Sequence, residues 1–164
     1  MESNLSEPAR LGKAGMSPVD AGTFFGFRVG SLGFLVPADL YCEVIEQVQV
    51  NPLPNTQAWF GGLFNLRGNL IPVIDLHRLL GEEIADHKKR RLFTIDKGEK
   101  AVALWIDGLP EVHGPAREPL KQMPALPAVL APHVPWGYLY QGQAWLRVLF
   151  GEFFKALGGQ IALR

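Results

Sequence analysis

From Phe24 onward the chain alternates apolar and polar positions with a period of two. Phe25, Phe27 and Val29 are interleaved with Gly26 and Arg28, Gly30-Ser31 reads as a turn, and Phe34-Leu35-Val36 resumes the apolar run. This predicts a β-hairpin over 24–36. Glu43 to Val50 alternates again, imperfectly but with many β-branched residues, until Pro52 and Pro54 end it. Trp59 to Leu66 leads through Gly68-Asn69 into a nearly continuous apolar strand, Leu70 to Leu76. Pro72 inside that strand predicts a sheet edge or a bulge, because proline cannot donate to a ladder. His77 to Leu80 followed by Gly81 reads as one helical turn closed by a glycine.

A charged loop, Glu82 to Arg91, separates this part from the next. Leu92 to Asp96 and Ala101 to Asp107 are joined by Lys97-Gly98-Glu99-Lys100 as a hairpin, and Glu111 to His113 reads as one more short strand. Six prolines between 115 and 135 predict an irregular segment wrapping the surface. Trp136 to Tyr140 and Ala144 to Leu149 pair around Gln141-Gly142. Phe150, Phe153, Phe154 and Leu157 then recur at helical spacing, with Gly158 as the expected C-cap. Many short strands and one closing helix predict a mainly β, barrel-like fold rather than alternating α/β. Residues 1–22, interrupted by Pro8, Gly12, Gly15 and Pro18, read as a flexible arm, and residues 158–164 as a tail.

Composition narrows the function. The 164 residues are 48% hydrophobic, with 10 Phe and 4 Trp, enough for a folded domain and far from the composition of a disordered chain. Sixteen basic residues balance sixteen acidic ones, so no net field draws the molecule toward nucleic acid or an anionic membrane. No apolar run approaches the roughly 20 residues of a membrane helix, and the first 22 residues lack a signal h-region. A cytoplasmic chain without direct membrane insertion is expected.

Few residues offer chemistry. His77, His87, His113 and His133 show neither an i,i+4 pair nor a cluster with acids, so neither a metal site nor a cofactor is expected. Cys42, the single cysteine, lies between apolar neighbours and reads as a small buried hydrophobe. The four serines form no Gly-x-Ser-x-Gly elbow, and Gly26 to Gly33 lacks the spacing of a phosphate-cradling loop. Lys88-Lys89-Arg90-Arg91, balanced by Glu82, Glu83 and Asp86, reads as a solvated loop rather than a nucleic-acid patch. Asp75, Asp96 and Asp107 each end an apolar run, where a carboxylate accepts turn amides. Nothing here assembles an enzyme. The competing class is a small barrel that binds a ligand or does weak chemistry with Cys42 or a histidine.

One segment stands apart, Gly62 to Leu76, with a lone Arg67 in an apolar setting. A guanidinium there needs a partner or an exit to solvent. Two readings stay open together: an internal ion pair with Asp75 or Glu43, and a partner-facing anchor, since arginine is enriched at interface hot spots.

At this segment the chain resembles the CheW-like domain of bacterial chemosensory coupling proteins. The family's Gly-x-x-Asn-Leu-Arg-Gly turn and following x-Pro-Val-x-Asp-Leu strand are matched by Gly62, Asn65 to Gly68, Pro72, Val73, Asp75 and Leu76. The opening hairpin, Glu43-Val44, Pro52-Leu53-Pro54, Leu80-Gly81, Ile106-Asp107 and Glu111-Val112 follow in family order, so the resemblance covers residues 23–157. It implies two packed five-stranded β-barrels with an apolar groove between them and a short C-terminal helix. It also implies an adaptor linking the cytoplasmic tip of a methyl-accepting chemoreceptor to a CheA-type histidine kinase, associated with membrane-bound arrays through those partners. By carry-over, Arg67, Asn65 and Gly68 belong to the coupling signature. Val36, Leu63 and Val73 are expected as exposed edge or groove contacts. The proline-rich 115–135 stretch and Phe150, where many members carry Asp, depart from the family pattern. With no room for a receiver domain after Leu157, a CheV-type fusion is not expected. The aromatic-rich end fits the PilI-type branch of type IV pilus twitching systems.

Overall fold

The computed structural model describes residues 22–114 and 118–163, so the arm expected over 1–22 lies, but for Gly22, outside the described residues. The opening alternation folds as β1 (Phe24–Val29) and β2 (Leu32–Pro37), antiparallel around Gly30-Ser31. The next strands are β3 (Cys42–Ile45), β4 (Phe60–Leu66) and β5 (Asn69–Ile74), followed by the short helix α1 (Leu76–Leu80). The second part of the chain supplies β6 (Arg90–Ile95), β7 (Val102–His113), β8 (Glu118–Pro119), β9 (Trp136–Tyr140), β10 (Gln143–Arg147) and helix α2 (Phe150–Gly158).

Strands join in the order β3-β6-β7-β1-β2-β10-β9-β8, and the β4–β5 hairpin attaches where β5 runs parallel to β7 at Val73↔Ala103 and Ile74↔Leu104. Two halves result. The first holds β3 to β7; the second holds β1, β2, β8, β9 and β10. The twelve-residue β7 serves both, pairing with β6 up to Asp107 and with β1 from Asp107 to His113.

Burial follows this division. Phe64, Ile71, Val73, Leu92 and Ala103 fill the first half. Phe24, Leu35, Tyr138 and Trp145 fill the second. A third and larger cluster, including Phe27, Phe34, Phe93, Leu104, Leu146 and Phe153, lies between them. β2 is buried on both faces, since Phe34 and Val36 face the middle cluster while Leu35 faces the second half. Such a strand reads as a continuous apolar run rather than an alternation.

Several expectations need correction. β3 stops at Ile45, and the chain beyond it bends until Asn51 exchanges backbone bonds of 2.8 and 3.0 Å with Leu63. Glu111 to His113 is no separate strand but the far end of β7. Over its described residues, 118–135, the proline-rich segment is irregular apart from β8 and a 3-10 turn at Ala131–His133, yet it sends Leu130 and Val134 into the middle cluster. Gly158 is the last residue of α2 rather than its cap; Gly159 caps it in a right-handed conformation. The tail is also tied down. Gln57 N–H donates to the Ile161 carbonyl at 2.8 Å, and Leu163 N–H to the Asn55 carbonyl at 3.0 Å. Pro72 sits opposite Leu63 of β4, at a point where β5 has no second ladder among the described residues.

Candidate functional site

The β4–β5 hairpin turns in two residues, Arg67 and Gly68, because Leu66 pairs with Asn69. Both have positive φ, 51° for Arg67 and 89° for Gly68, the signature of a type I′ turn. Asn65 supports the turn by accepting the Gly68 N–H on its Oδ1 at 3.2 Å. Glycine suits its position, but an L-residue in the left-handed region carries strain on the order of 1 kcal/mol. Arg67 is therefore held where Asn or Gly would sit more easily.

The Arg67 guanidinium leaves the hairpin and meets β3. Its Nη2 donates to Glu43 Oε2 at 2.5 Å, and the arginine side chain remains 62% exposed. Tyr41 adds a hydroxyl bond to Glu43 Oε1 at 3.2 Å, and Lys97 lies over the Tyr41 ring. The hydrogen bond from Arg67 holds the Glu43 carboxyl below the usual carboxylate range, against the opposing effect of burial. The ion pair is thus with Glu43 and on the surface, not internal. Asp75 instead caps α1, accepting the Arg78 N–H at 3.2 Å.

The other expected contacts fall elsewhere. Val73 is fully buried inside the first half and Val36 in the middle cluster, so neither is an exposed edge residue. Leu63 is half-buried, beside Asn51. Exposed apolar side chains lie instead at Leu70, at Leu109 (62%) and at Val112 (70%). Val112 is cross-strand from the half-buried Phe25. The signal for Leu109 was present in Gly108-Leu109-Pro110, where two strand-disrupting residues flank an apolar one. Between the halves opens a groove of about 670 Å³ with Val36, Leu40, Ile95, Val148, Phe150 and Phe154 in its wall and charged side chains around it.

Chemistry-bearing residues are dispersed. Burial, with a smaller contribution from Asp96, pushes the Cys42 thiol up to about 11, which leaves it a poor nucleophile at neutral pH. His113 is buried with Nδ1 2.7 Å from the Tyr138 hydroxyl, and His133 lies 3.3 Å from Glu152. His77 contacts Asp107, and His87 opens a 3-10 turn capped by Asp86. Among the described residues no three His, Cys, Asp or Glu side chains are grouped to hold a metal ion. No helix among them is long and apolar enough to cross a membrane. Asp96 and Asp107 accept the backbone N–H of Lys97 and of Gly30, at 2.9 and 2.7 Å. The surface carries two separate features: a charged hairpin with Arg67 at positive φ, and exposed apolar side chains at Leu109 and Val112 of β7.

Comparison with known proteins gives a consistent picture. A family model described as the CheW-like domain matches residues 23–142. The chain is 32% identical to Protein PilI of Pseudomonas aeruginosa over 126 residues, covering 74% of this chain and 68% of that protein. It is 39% identical to Protein FrzA of Myxococcus xanthus over 85 residues, about half of each chain (51% and 53%). The fold resembles the scaffolding protein TtCheW from Thermoanaerobacter tengcongensis, with a TM-score of 0.65 at 20% identity, over 87% of this chain and 99% of that one.

Proposed function

The chain belongs to the CheW-like domain family and is a coupling adaptor of a chemosensory system; from that premise we propose that it joins a CheA-type histidine kinase to the cytoplasmic tip of a methyl-accepting chemoreceptor. The observation that carries this reading is Arg67. A residue held in a strained turn, mostly exposed and pre-oriented by Glu43, is retained for what it touches rather than for stability. Arginine at the hairpin turn and a tyrosine just before β3, joined through Glu43, are residue types that dominate interface energetics.

Arg67, Glu43 and Tyr41, with Asn65 and Gly68 setting the turn, form the kinase-facing contact. Leu109, and Val112 with Phe25 across from it, form the receptor-facing contact, where exposed apolar side chains suit one side of an amphipathic helix. Val36 lines the adjacent groove wall from below, while Leu63 and Val73 act by shaping the hairpin rather than by touching a partner. The adaptor works in the cytoplasm and joins receptor arrays through these partners. The likeness to PilI favours a type IV pilus output over a flagellar one. Transmission requires that affinity at one surface depend on occupancy of the other, typically by a factor of about 5 to 150.

The test is paired capture. Arg67→Glu is expected to lower affinity for the kinase regulatory domain by about tenfold or more while the receptor fragment still binds; Leu109→Asp should do the reverse. If both variants, folded by circular dichroism, capture both partners as the parent does, the assignment of these surfaces is wrong.

A further inference from the structure

Asp107 marks the point where β7 passes from the first half to the second. Opposite the step from Gly26 to Arg28 on β1, β7 advances from Glu111 to Asp107, so Gly108, Leu109 and Pro110 leave the β1 ladder as a bulge. Gly108 makes the bend with φ of 73°. Leu109, the exposed apolar side chain of the receptor-facing contact, stands on this bulge. Bulges of this kind re-aim a side chain, and they do so reproducibly only when their ends are fixed.

The carboxylate of Asp107 is gripped from both halves. His77, on α1 of the first half, is 1% exposed, and its Nε2 lies 3.0 Å from each Asp107 oxygen. A carboxylate only accepts, so the ring Nε2 carries the proton and donates it. From the second half the Gly30 N–H donates to Asp107 Oδ2 at 2.7 Å. One residue along, Glu82, just past α1, accepts the Ser31 N–H at 2.7 Å and the Ser31 hydroxyl at 3.0 Å. Two carboxylates thus tie the α1 region to the tip of the β1–β2 hairpin, directly beside the bulge. The grip is geometrically independent of the Arg67–Glu43 pair, which involves neither α1 nor β7.

We propose that His77 is a positioning residue of the receptor-facing surface: acting through Asp107, it fixes the Gly108–Pro110 bulge and so the pose in which Leu109 meets its partner. This rests on the reading of Leu109 as a docking residue. Such a clasp fixes the pose of Leu109 through contacts from both halves of the molecule.

The full-length chain tests this in two arms. Without partners, amide exchange is followed at Leu109, Glu111 and Val112 in the parent, His77→Leu and His77→Gln. The leucine variant is expected to exchange there about tenfold faster or more, while β4 and β5 keep their protection; glutamine, still a donor, restores much of the slow exchange. With partners, His77→Leu should weaken binding of a receptor cytoplasmic-tip fragment by about tenfold and leave binding of the kinase regulatory domain within about twofold. Glu82→Ala, on the surface, should shift the same amides in the same direction by less, and it carries the test if His77→Leu does not fold. Unchanged exchange at the bulge, or equal losses toward both partners that track the fall in melting temperature, overturns the proposal. If Leu109→Asp leaves receptor binding intact, the docking reading fails; the exchange arm still decides whether the clasp holds the bulge.

Discussion

Arg67 shows how a single residue can be read against its own stability. The turn it occupies asks for positive φ at both central positions, and asparagine meets that demand with less strain than arginine. Losing the exposed pair with Glu43 costs little, since solvent screens an ion pair at the surface. Arg67→Asn is therefore expected to leave the urea-unfolding midpoint unchanged or slightly raised, while kinase capture falls. A clear loss of stability would show that the arginine is structural. Cys42 gives a second check at this scale. Its thiol lies at about 11 in the folded chain, whereas the unfolded thiol ionises near 8.5. The unfolded state thus gives up its proton first, and this group's contribution to stability is intact below about 8.5 and declines as pH rises toward 11. Melting temperature measured across that window should fall less steeply in Cys42→Ala than in the parent, and alkylation of the parent at pH 7.5 should be slow.

At the level of elements, α2 illustrates what amphipathic spacing secures. Phe150, Phe153 and Leu157 are buried between the halves, and Phe153 is fully enclosed against Phe150 and Phe154. Phe153→Ala is expected to cost about 3–5 kcal/mol, read as a shifted denaturation midpoint with the slope preserved. The body of this helix, the α1 turn closed by Gly81, and the two-residue hairpins at Gly30-Ser31 and Gln141-Gly142 were legible, because glycines and periodicity act locally, whereas the β4–β5 turn falls one residue before the Gly68-Asn69 reading. The ends of β3 and the continuity of β7 were not. Glu46 to Val50 keeps an alternating pattern but bends away to meet β4 through Asn51, a tertiary choice that outweighs propensity. In β7, Gly108 and Pro110 look like a strand break, yet pairing with β1 resumes beyond them and makes the break a bulge.

For the whole molecule, the mainly β architecture followed from strand count, but the division into two halves came from family resemblance and not from periodicity. Val36 and Val73 mark the limit: apolar strand residues that suggested a contact surface turned out to face the middle cluster and the first core. Which side of a strand is covered depends on neighbours far along the chain. Leu109 and Val112, by contrast, stay exposed because β7 borders no second strand there among the described residues.

The parallel pairing of β10 with β2 has a further consequence, for the order in which the molecule can form. Gly33, Phe34 and Leu35 find their outer neighbours only in Trp145, Leu146 and Arg147, and β1 likewise waits for β7. During synthesis this hairpin keeps its β1 flank bare until residues 107–113 have been made and its β2 flank bare until residues 145–147 have. Nascent chains stalled short of β10 should accordingly be sticky and protease-sensitive.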